Sequence, residues 1–593
     1  MLNFFVKFSF CILRTCRTCC ILLLVMKMRL KITKTKTNTN YYIIKDVNIK
    51  NKRTTQIVER LGNEIEVTKR ASGKDIMTWI DEYIESLNTE AKNGNEELVI
   101  KKSTSTIIEK NRPNVFNCGY LFLQKIYKEL KLDKICKQIS KKYKFEYDLD
   151  SILSRLIYTR ILEPSSKLSS FESSKKFLEQ PNFELQHIYR ALEVIASETE
   201  FIESEVYKNS LNVVNRNTKI LYYDCTNYFF EIYQADGVKQ YGISKQNQNT
   251  PIVQMGLFMD GNGYPLAFSI TPGNTNEQVT LKPLEKRIIE DFELSHFIVC
   301  TDAGLASKEN RAFNNIQNRS YIVTQSLKKI KGHLKEWALS PDGWHTINSN
   351  ATINLEDIDN SSANEMVYYK ERWIKENGME QRLIVSYSPK YAAYQKNIRN
   401  GQVIRAENMI EKPSSATKKR INDPKRFIAS TYITGDGEIA NSKKLTLNID
   451  AINEEAMFDG FYAVCTTLED NIEEIIKVNK RRWEIEESFR ILKTEFKSRP
   501  VYLKKDDRIK AHFTTCFLSL LIYRILENKL DYKFSSTEII KTLKNMNLLK
   551  ENTMYIPTYQ RTDLTDYLHE KFEFRTDYEI IKLSKIKKLF KSI

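Results

Sequence analysis

Four apolar, β-branched and aromatic segments with one helical segment among them, all between residues 219 and 304, constrain this chain most. "KILYYDCTNYFFEIY" begins at Lys219, "PIVQMGLFMDGNGYPLAFSI" supplies two strands around a turn at Asp260 to Gly263, and "HFIVCTDAG" is a buried strand. Between the last two lies "NEQVTLKPLEKRIIEDF", whose apolar spacing is helical. Three strands, a helix and a further strand predict an α/β domain. Within it, Asp224 and Asp302 each follow an apolar run, "LYYD" and "IVCTD", which places them at the carboxyl edge of a sheet, where open α/β folds build their sites. One such aspartate is an ordinary turn or cap residue. Two invite a search for a third carboxylate.

"RRWEIEESFRILKTEF", residues 481 to 496, offers four. As a helix at roughly 100° per residue, Ile485, Phe489, Leu492 and Phe496 form an apolar stripe that should face a core. Glu486 lies about a quarter-turn from that stripe, with Arg482 and Arg490 within about 40° of it one turn either way and Lys493 about 20° away. Glu487 points away from the stripe, Glu484 lies on the other flank, and Glu495 lacks a comparable basic cluster. A helix of this kind is equally an ordinary surface element, with Glu486 in an i, i+4 ion pair worth a few tenths of a kcal/mol. Joined to Asp224 and Asp302, however, Glu486 completes a set of hard oxygen donors suited to Mg²⁺. Two such ions about 3.5 to 4 Å apart activate an attacking oxygen and stabilise a leaving one, which is phosphodiester chemistry.

Charge points the same way. The chain has 92 Lys and Arg against 75 Asp and Glu, a net +17, which favours a polyanionic partner, although the abundance of Lys, Asn and Ile also fits codon bias. Beyond residue 20 the cysteines are isolated singles, which fits a reducing compartment, and Cys16-x-x-Cys19 has no second half at zinc spacing. Residues 1–27 are apolar but broken by Lys7, Arg14 and Arg17. No run there is long enough to span a bilayer and no small-residue cleavage site follows, so an upstream extension is expected, with a membrane anchor the lesser alternative.

The 593 residues exceed one ordinary core. Residues 28–100 read as a basic β-hairpin region followed by the amphipathic helix "DIMTWIDEYIESLN", and the Ser/Thr-rich 101–114 as a linker. Helical periodicity over 115–215 predicts a helical domain, DNA-binding or a scaffold. The α/β core takes 216–329 and 460–530, and 330–459 interrupts it as a mixed inserted subdomain in which Trp344 and Trp373 are core residues or could stack on an unpaired base. Residues 531–593 are expected to be a C-terminal helical tail. "RIKAHFTTCFLSLLIYRILENKL" reads as a buried helix, its length interrupted by Arg508, Lys510, His512 and Arg524.

Several of these stretches resemble the DDE transposases of bacterial insertion sequences, in the group named for insertion sequence four: "YYDCTNYFFE", "YGISKQNQNTPIVQMGLFMD", "PGNTNE" at 272–277, "CTDAG" and "NKRRWEIEESFRILKTEF", in that order. The family's helix motif runs Tyr, Arg, Glu, Lys; here those places hold Asn479, Arg482, Glu486 and Lys493. The resemblance implies a ribonuclease-H-like catalytic core with Asp224, Asp302 and Glu486 as catalytic metal ligands for two Mg²⁺ ions, Mn²⁺ substituting. It implies phosphate contacts by Arg482, Lys493, Arg490 and Lys245, and by Asn479 in place of the family's tyrosine. It further implies double-stranded DNA partners (terminal inverted repeats and target), a homodimer in the synaptic complex and a cytoplasmic, nucleoid-associated bacterial protein. The expected activity is DNA strand cleavage and strand transfer at insertion-sequence ends; the alternative is a catalytically inactive, transposase-derived DNA-binding protein.

Overall fold

The computed structural model describes residues 28–593 apart from 35–37, 50–51, 93–103, 106, 108–109, 112, 246–247, 317, 347–348, 362–363, 377, 412–422 and 434–441. The expected upstream extension, with its Cys16 and Cys19, and half of the expected linker therefore lie outside the described residues. The chain divides into two compact units, Met1–Asn111 and Arg112–Ile593.

In the first unit, β1 (Arg29–Lys34), β2 (Thr39–Ile49) and β3 (Lys52–Asn63) form an antiparallel sheet. Period-2 alternation turns Leu30, Tyr41, Ile43 and Leu61 toward the helices Glu64–Ala71 and Ile76–Lys92, which cover them with Val67, Ile80 and Ile84. The first helix follows from a capping box at Asn63, whose side chain accepts from the Glu66 amide while Glu66 accepts from the Asn63 amide.

In the second unit, β4 (Val115–Asn117) precedes six helices between Tyr120 and Ser210. The α/β core follows: β5 (Ile220–Phe229), β6 (Ile252–Asp260), β7 (Pro265–Pro272), the helix Leu281–Asp291, β8 (Phe297–Thr301) and β9 (Arg319–Gln325). This is the order expected from the sequence. Strands β7, β6 and β5 are antiparallel neighbours, whereas β5, β8 and β9 run parallel, giving the spatial order β7-β6-β5-β8-β9. The β6–β7 turn is fixed by a fully buried ion pair in which Arg216 Nε donates to Asp260 Oδ2 at 2.6 Å, while Asp260 Oδ1 accepts from the Asn262 and Tyr264 amides.

Residues 330–459 do not stand apart as the mixed subdomain that was expected. Their strands β10 (Trp344–Thr346), β11 (Ser349–Ile353), β12 (Tyr368–Glu376) and β13 (Met379–Tyr387) extend the same sheet to ten strands. The link is β16 (Phe461–Thr466), which pairs with β9 on one side and β13 on the other, so β9 does not leave a bare sheet edge. A separate hairpin, β14 (Ile428–Ile433) and β15 (Ser442–Leu447), belongs to the same stretch, as does the helix Pro389–Glu411. The C-terminal tail is likewise not purely helical: β17 (Asn547–Glu551), β18 (Met554–Pro557) and β19 (Ile581–Lys582) form a sheet with β4, and three helices accompany them.

The helical region is not packed as a separate domain either. Buried apolar residues from Phe116 through the six helices, one face of β5 and β6, and the C-terminal helices form one continuous cluster. The helix Asp506–Lys529, long and apolar enough to span a bilayer, is almost wholly enclosed in that cluster, as expected of a core helix. The six described cysteines from Cys118 onward are free and buried.

Candidate active site

Register places the first two carboxylates. The parallel pairing of β5 with β8 ends at Tyr222 opposite Cys300, and Asp224 and Asp302 each lie two residues further along. They therefore stand side by side just beyond the β5–β8 pairing, but only Asp302 follows the end of its strand; Asp224 lies in the middle of β5, which runs on beside β6 to Phe229 instead of ending at the aspartate as the sequence suggested. Period-2 alternation sorts β5: Leu221, Tyr223 and Cys225 pack against the helix Leu281–Asp291, while Tyr222 and Tyr228 belong to the opposite face. Asp224 and Thr226 share that opposite face.

The helix Trp483–Thr494 covers it, burying Ile485, Phe489 and Leu492, with Phe496 just beyond its end. This is the stripe read from the sequence. The helix begins at Trp483, two residues later than the stretch read as helical, because the preceding helix, Ile472–Lys480, is capped at Arg481.

Burial raises the Asp224 carboxyl to about 6, against the attraction of Lys245 and with the repulsion of Asp302 adding to the rise. Asp302 is held in place as a cap, its Oδ1 accepting from the Leu305 amide at 3.1 Å. Arg482 is the common partner. Burial pulls its guanidinium down, but the Tyr462 phenol, Asp224, Asp302 and Glu486 together hold it above its ordinary value. It pairs with Glu486 Oε1 at 3.7 Å, and the Glu486 side chain is 61% exposed.

The other acids of this helix are committed elsewhere. Glu484 accepts from Arg481 Nε at 2.8 Å, and Glu487 accepts twice from Arg490, at 2.6 and 2.7 Å. At 17% side-chain exposure, Glu484 is covered rather than an ordinary surface charge.

Lys245 and Lys493 reach the site. Lys245 Nζ donates to the Cys225 carbonyl at 2.5 Å and pairs with Glu277 at 3.0 Å. Lys493 donates to the Thr226 hydroxyl and stands over the Tyr228 ring, 5.6 Å from its centroid. Arg490 does not reach it: long helical side chains lean toward the preceding turn, and Glu487 and Glu495 capture its guanidinium. Asn479 is mostly buried, donating to the Tyr462 hydroxyl at 2.9 Å while Cys300 Sγ approaches its oxygen at 3.7 Å, and it lines the cavity beside Arg482.

Three residues here escaped sequence reasoning. Tyr462 accepts from Asn479 and shares a hydrogen bond with Thr324 at 2.7 Å; its neighbourhood comes from tertiary pairing alone. Glu277 lies in "PGNTNE", where the stretch itself was the available signal. Arg499 carried no signal. Beside Arg482 and Glu486 opens a cavity of about 620 Å³, floored by Ile384, Val464 and Ile476 and rimmed by Tyr391, Tyr462 and Trp483. Of the tryptophans considered from sequence, Trp344 is fully buried, its indole N–H donating to the Ser340 carbonyl, and Trp373 lies part-exposed on β12.

A hard divalent cation fits two of the three expected ligands. Asp224 and Asp302 repel each other in a covered site, and an ion between them would relieve both the repulsion and the burial cost. The three-carboxylate convergence is not formed, since no group of three His, Cys, Asp or Glu side chains among the described residues is placed to hold a metal ion. Arg482 interacts with all three acids in its stead.

The site thus gathers Asp224, Asp302, Arg482, Lys245 and Lys493 where β5 and β8 meet the helix Trp483–Thr494. Residues 229–522 match a family described as "Transposase DDE domain", a span that contains Asp302, Arg482, Glu486 and Lys493 and begins just after Asp224. That match supports a DDE transposase. No curated protein matches the chain. Two similar solved structures are the cryo-EM piggyBac transposase synaptic complex with hairpin DNA and the Mos1 transposase paired-end complex with left transposon end. The first is 9% identical over 80% of this chain and 84% of that one with a TM-score of 0.33; the second is 13% identical over 42% and 68% with a TM-score of 0.12. At these scores neither likeness bears on the fold or the site.

Proposed function

We propose that the chain cleaves DNA at the ends of an insertion sequence and joins the freed ends to a target, using divalent metal ions. The observation that carries this reading is the side-by-side placement of Asp224 and Asp302 under a helix whose Arg482 joins them electrostatically to Glu486. The strand order β7-β6-β5-β8-β9 supports a ribonuclease-H-like core of the insertion-sequence-four group. Asp224 and Asp302 would hold Mg²⁺ or Mn²⁺, with Glu486 as the third ligand. A bound divalent ion supplies Lewis-acid activation of the attacking oxygen and neutralisation of the leaving one.

The chain's own residues do the rest. Lys245 and Lys493 offer N–H donors to non-bridging phosphate oxygens beside Asp224, and Arg482 offers a planar fork for the same purpose. In the cleavage step a water oxygen bonds to phosphorus as the P–O3′ bond breaks, the water's proton passing to solvent and the departing oxygen taking one up as a 3′-hydroxyl. In the joining step that hydroxyl forms the new P–O bond while the target strand's P–O3′ bond breaks, so the number of phosphodiester links is conserved. Terminal inverted repeats and target DNA are the substrates, a homodimer bridges two ends, and the setting is the bacterial nucleoid.

A second reading, a catalytically silent DNA-binding derivative, draws on the engagement of Asn479 with Tyr462 and on the lack, among the described residues, of a three-carboxylate cluster placed to hold a metal ion. Incubation with DNA carrying the element's own ends, with Mg²⁺ or Mn²⁺, separates the two. Metal-dependent nicking that Glu486→Gln abolishes is the expected result. Binding without nicking by the parent chain selects the second reading.

A further inference from the structure

We propose that Lys493, Arg499 and Lys245 form a phosphate-binding site that carries the DNA backbone away from Asp224 along the covered face of β5, with Arg499 as a contact no motif assigns. The proposal rests on the reading of the chain as a DNA-cleaving enzyme.

Alternation along β5 puts Asp224, Thr226 and Tyr228 in one row, and Lys493 follows it by bonding the Thr226 hydroxyl and standing over the Tyr228 ring. Arg499 follows at the far end of β5, where the Val501 amide donates to the Phe229 carbonyl, and its guanidinium couples electrostatically to Tyr228 and Lys493. The three cations share too little counter-charge. Lys245 pairs with Glu277, but among the described residues neither Lys493 nor Arg499 forms an ion pair with a carboxylate, and Arg499 Nη1 is buried without a hydrogen-bond partner. Burial, then Arg499, then Lys245 push the Lys493 ammonium down to about 8, with Asp224 alone opposing.

Cations gathered in this way repel one another unless an anion lies among them. Arg490 on the other flank of the same helix shows the contrasting arrangement, fully engaged by Glu487 and Glu495.

The backbone around Arg499 is fixed from outside the site. Arg160, itself 3% exposed, donates to the Phe496 carbonyl at 3.1 Å and the Lys497 carbonyl at 3.5 Å. Ser498 Oγ donates to the Leu492 carbonyl at 2.6 Å, the His512 ring meets the Ser498 carbonyl at 3.2 Å, and the Val501 amide donates to the Phe229 carbonyl at 3.4 Å. With the backbone on both sides of Arg499 held by these bonds and its buried Nη1 without an acceptor, the guanidinium is placed to take one brought by a ligand.

The test uses the full chain in EDTA, so that metal-dependent binding at the carboxylates does not contribute. Affinity for a short duplex is measured across a salt series, and melting is followed with and without inorganic phosphate, for the parent, Arg499→Ala and Arg499→Lys. Removing one phosphate contact should make the slope of log K against log salt shallower by about one in Arg499→Ala, with Arg499→Lys close to the parent. Phosphate should raise the melting temperature of the parent and of Arg499→Lys more than that of Arg499→Ala. Parental slope and parental phosphate response in Arg499→Ala overturn the proposal. If the parent fails to bind duplex while phosphate still separates the variants in this way, the anion site stands and the DNA-cleaving reading falls.

Discussion

The two flanks of the helix Trp483–Thr494 are built from the same residue types and behave in opposite ways. On the far flank every glutamate is answered by an arginine, Glu484 by Arg481 and Glu487, with Glu495 further off, by Arg490. On the near flank one arginine, Arg482, answers three carboxylates, while Lys493 and Arg499 answer none exclusively. Matched pairs close a surface. Mismatched ones leave acids in need of a cation and cations in need of an anion, which is what a metal-dependent phosphodiester site requires.

Exchanging charge for isosteric neutrality on each flank is the sharpest way to break this contrast. Glu486→Gln should lower strand cleavage by about 10²- to 10³-fold, in line with losing one transition-state electrostatic partner, whereas Glu487→Gln should leave the cleavage rate within about twofold. Equal losses in the two variants, measured as initial nicking rates, would erase the distinction between flanks.

A second difference concerns pH. Because Lys493 loses its proton near 8 in the free protein and phosphate favours the charged form, duplex affinity should fall as pH rises through 8, by up to tenfold per pH unit. Lys493→Arg should flatten that step, since arginine stays charged there. An unchanged pH profile in Lys493→Arg would show that this lysine does not face the DNA.

Smaller effects bear on stability. Tyr462→Phe leaves the buried Asn479 amide without its acceptor and should cost about 1 to 3 kcal/mol in chemical denaturation. On the far flank, Glu487→Gln should cost about 1 kcal/mol or less, since that pair is half-exposed. A larger cost for the second than for the first would reverse the assignment of which flank is built around buried polar groups.

Much of this site was legible in the chain. The apolar stripe of Ile485, Phe489, Leu492 and Phe496 fixed the orientation of the helix, and with it the i, i+4 approach of Arg482 to Glu486, because helical periodicity is local. The same wheel offered Arg490 as a neighbour of Glu486. It could not weigh Glu487 and Glu495 as rivals, and those two hold the guanidinium. Alternation identified β12 and β13 as strands but carried no information about their partners; that they extend the sheet through β16 depends on hydrogen bonding between segments far apart.

By itself, then, the sequence determined the strand and helix order of the α/β core, the position of Asp302 just past the end of β8, and the face on which Glu486 stands. Each follows from patterns a few residues long. Only the tertiary structure decided that Lys493 meets Thr226 across 267 positions of chain, that Asn479 is turned inward onto Tyr462, and that Arg499 reaches the row beside Asp224. Those placements depend on the packing of the helix against β5 and on bonds from Arg160 and His512, and no local periodicity encodes them.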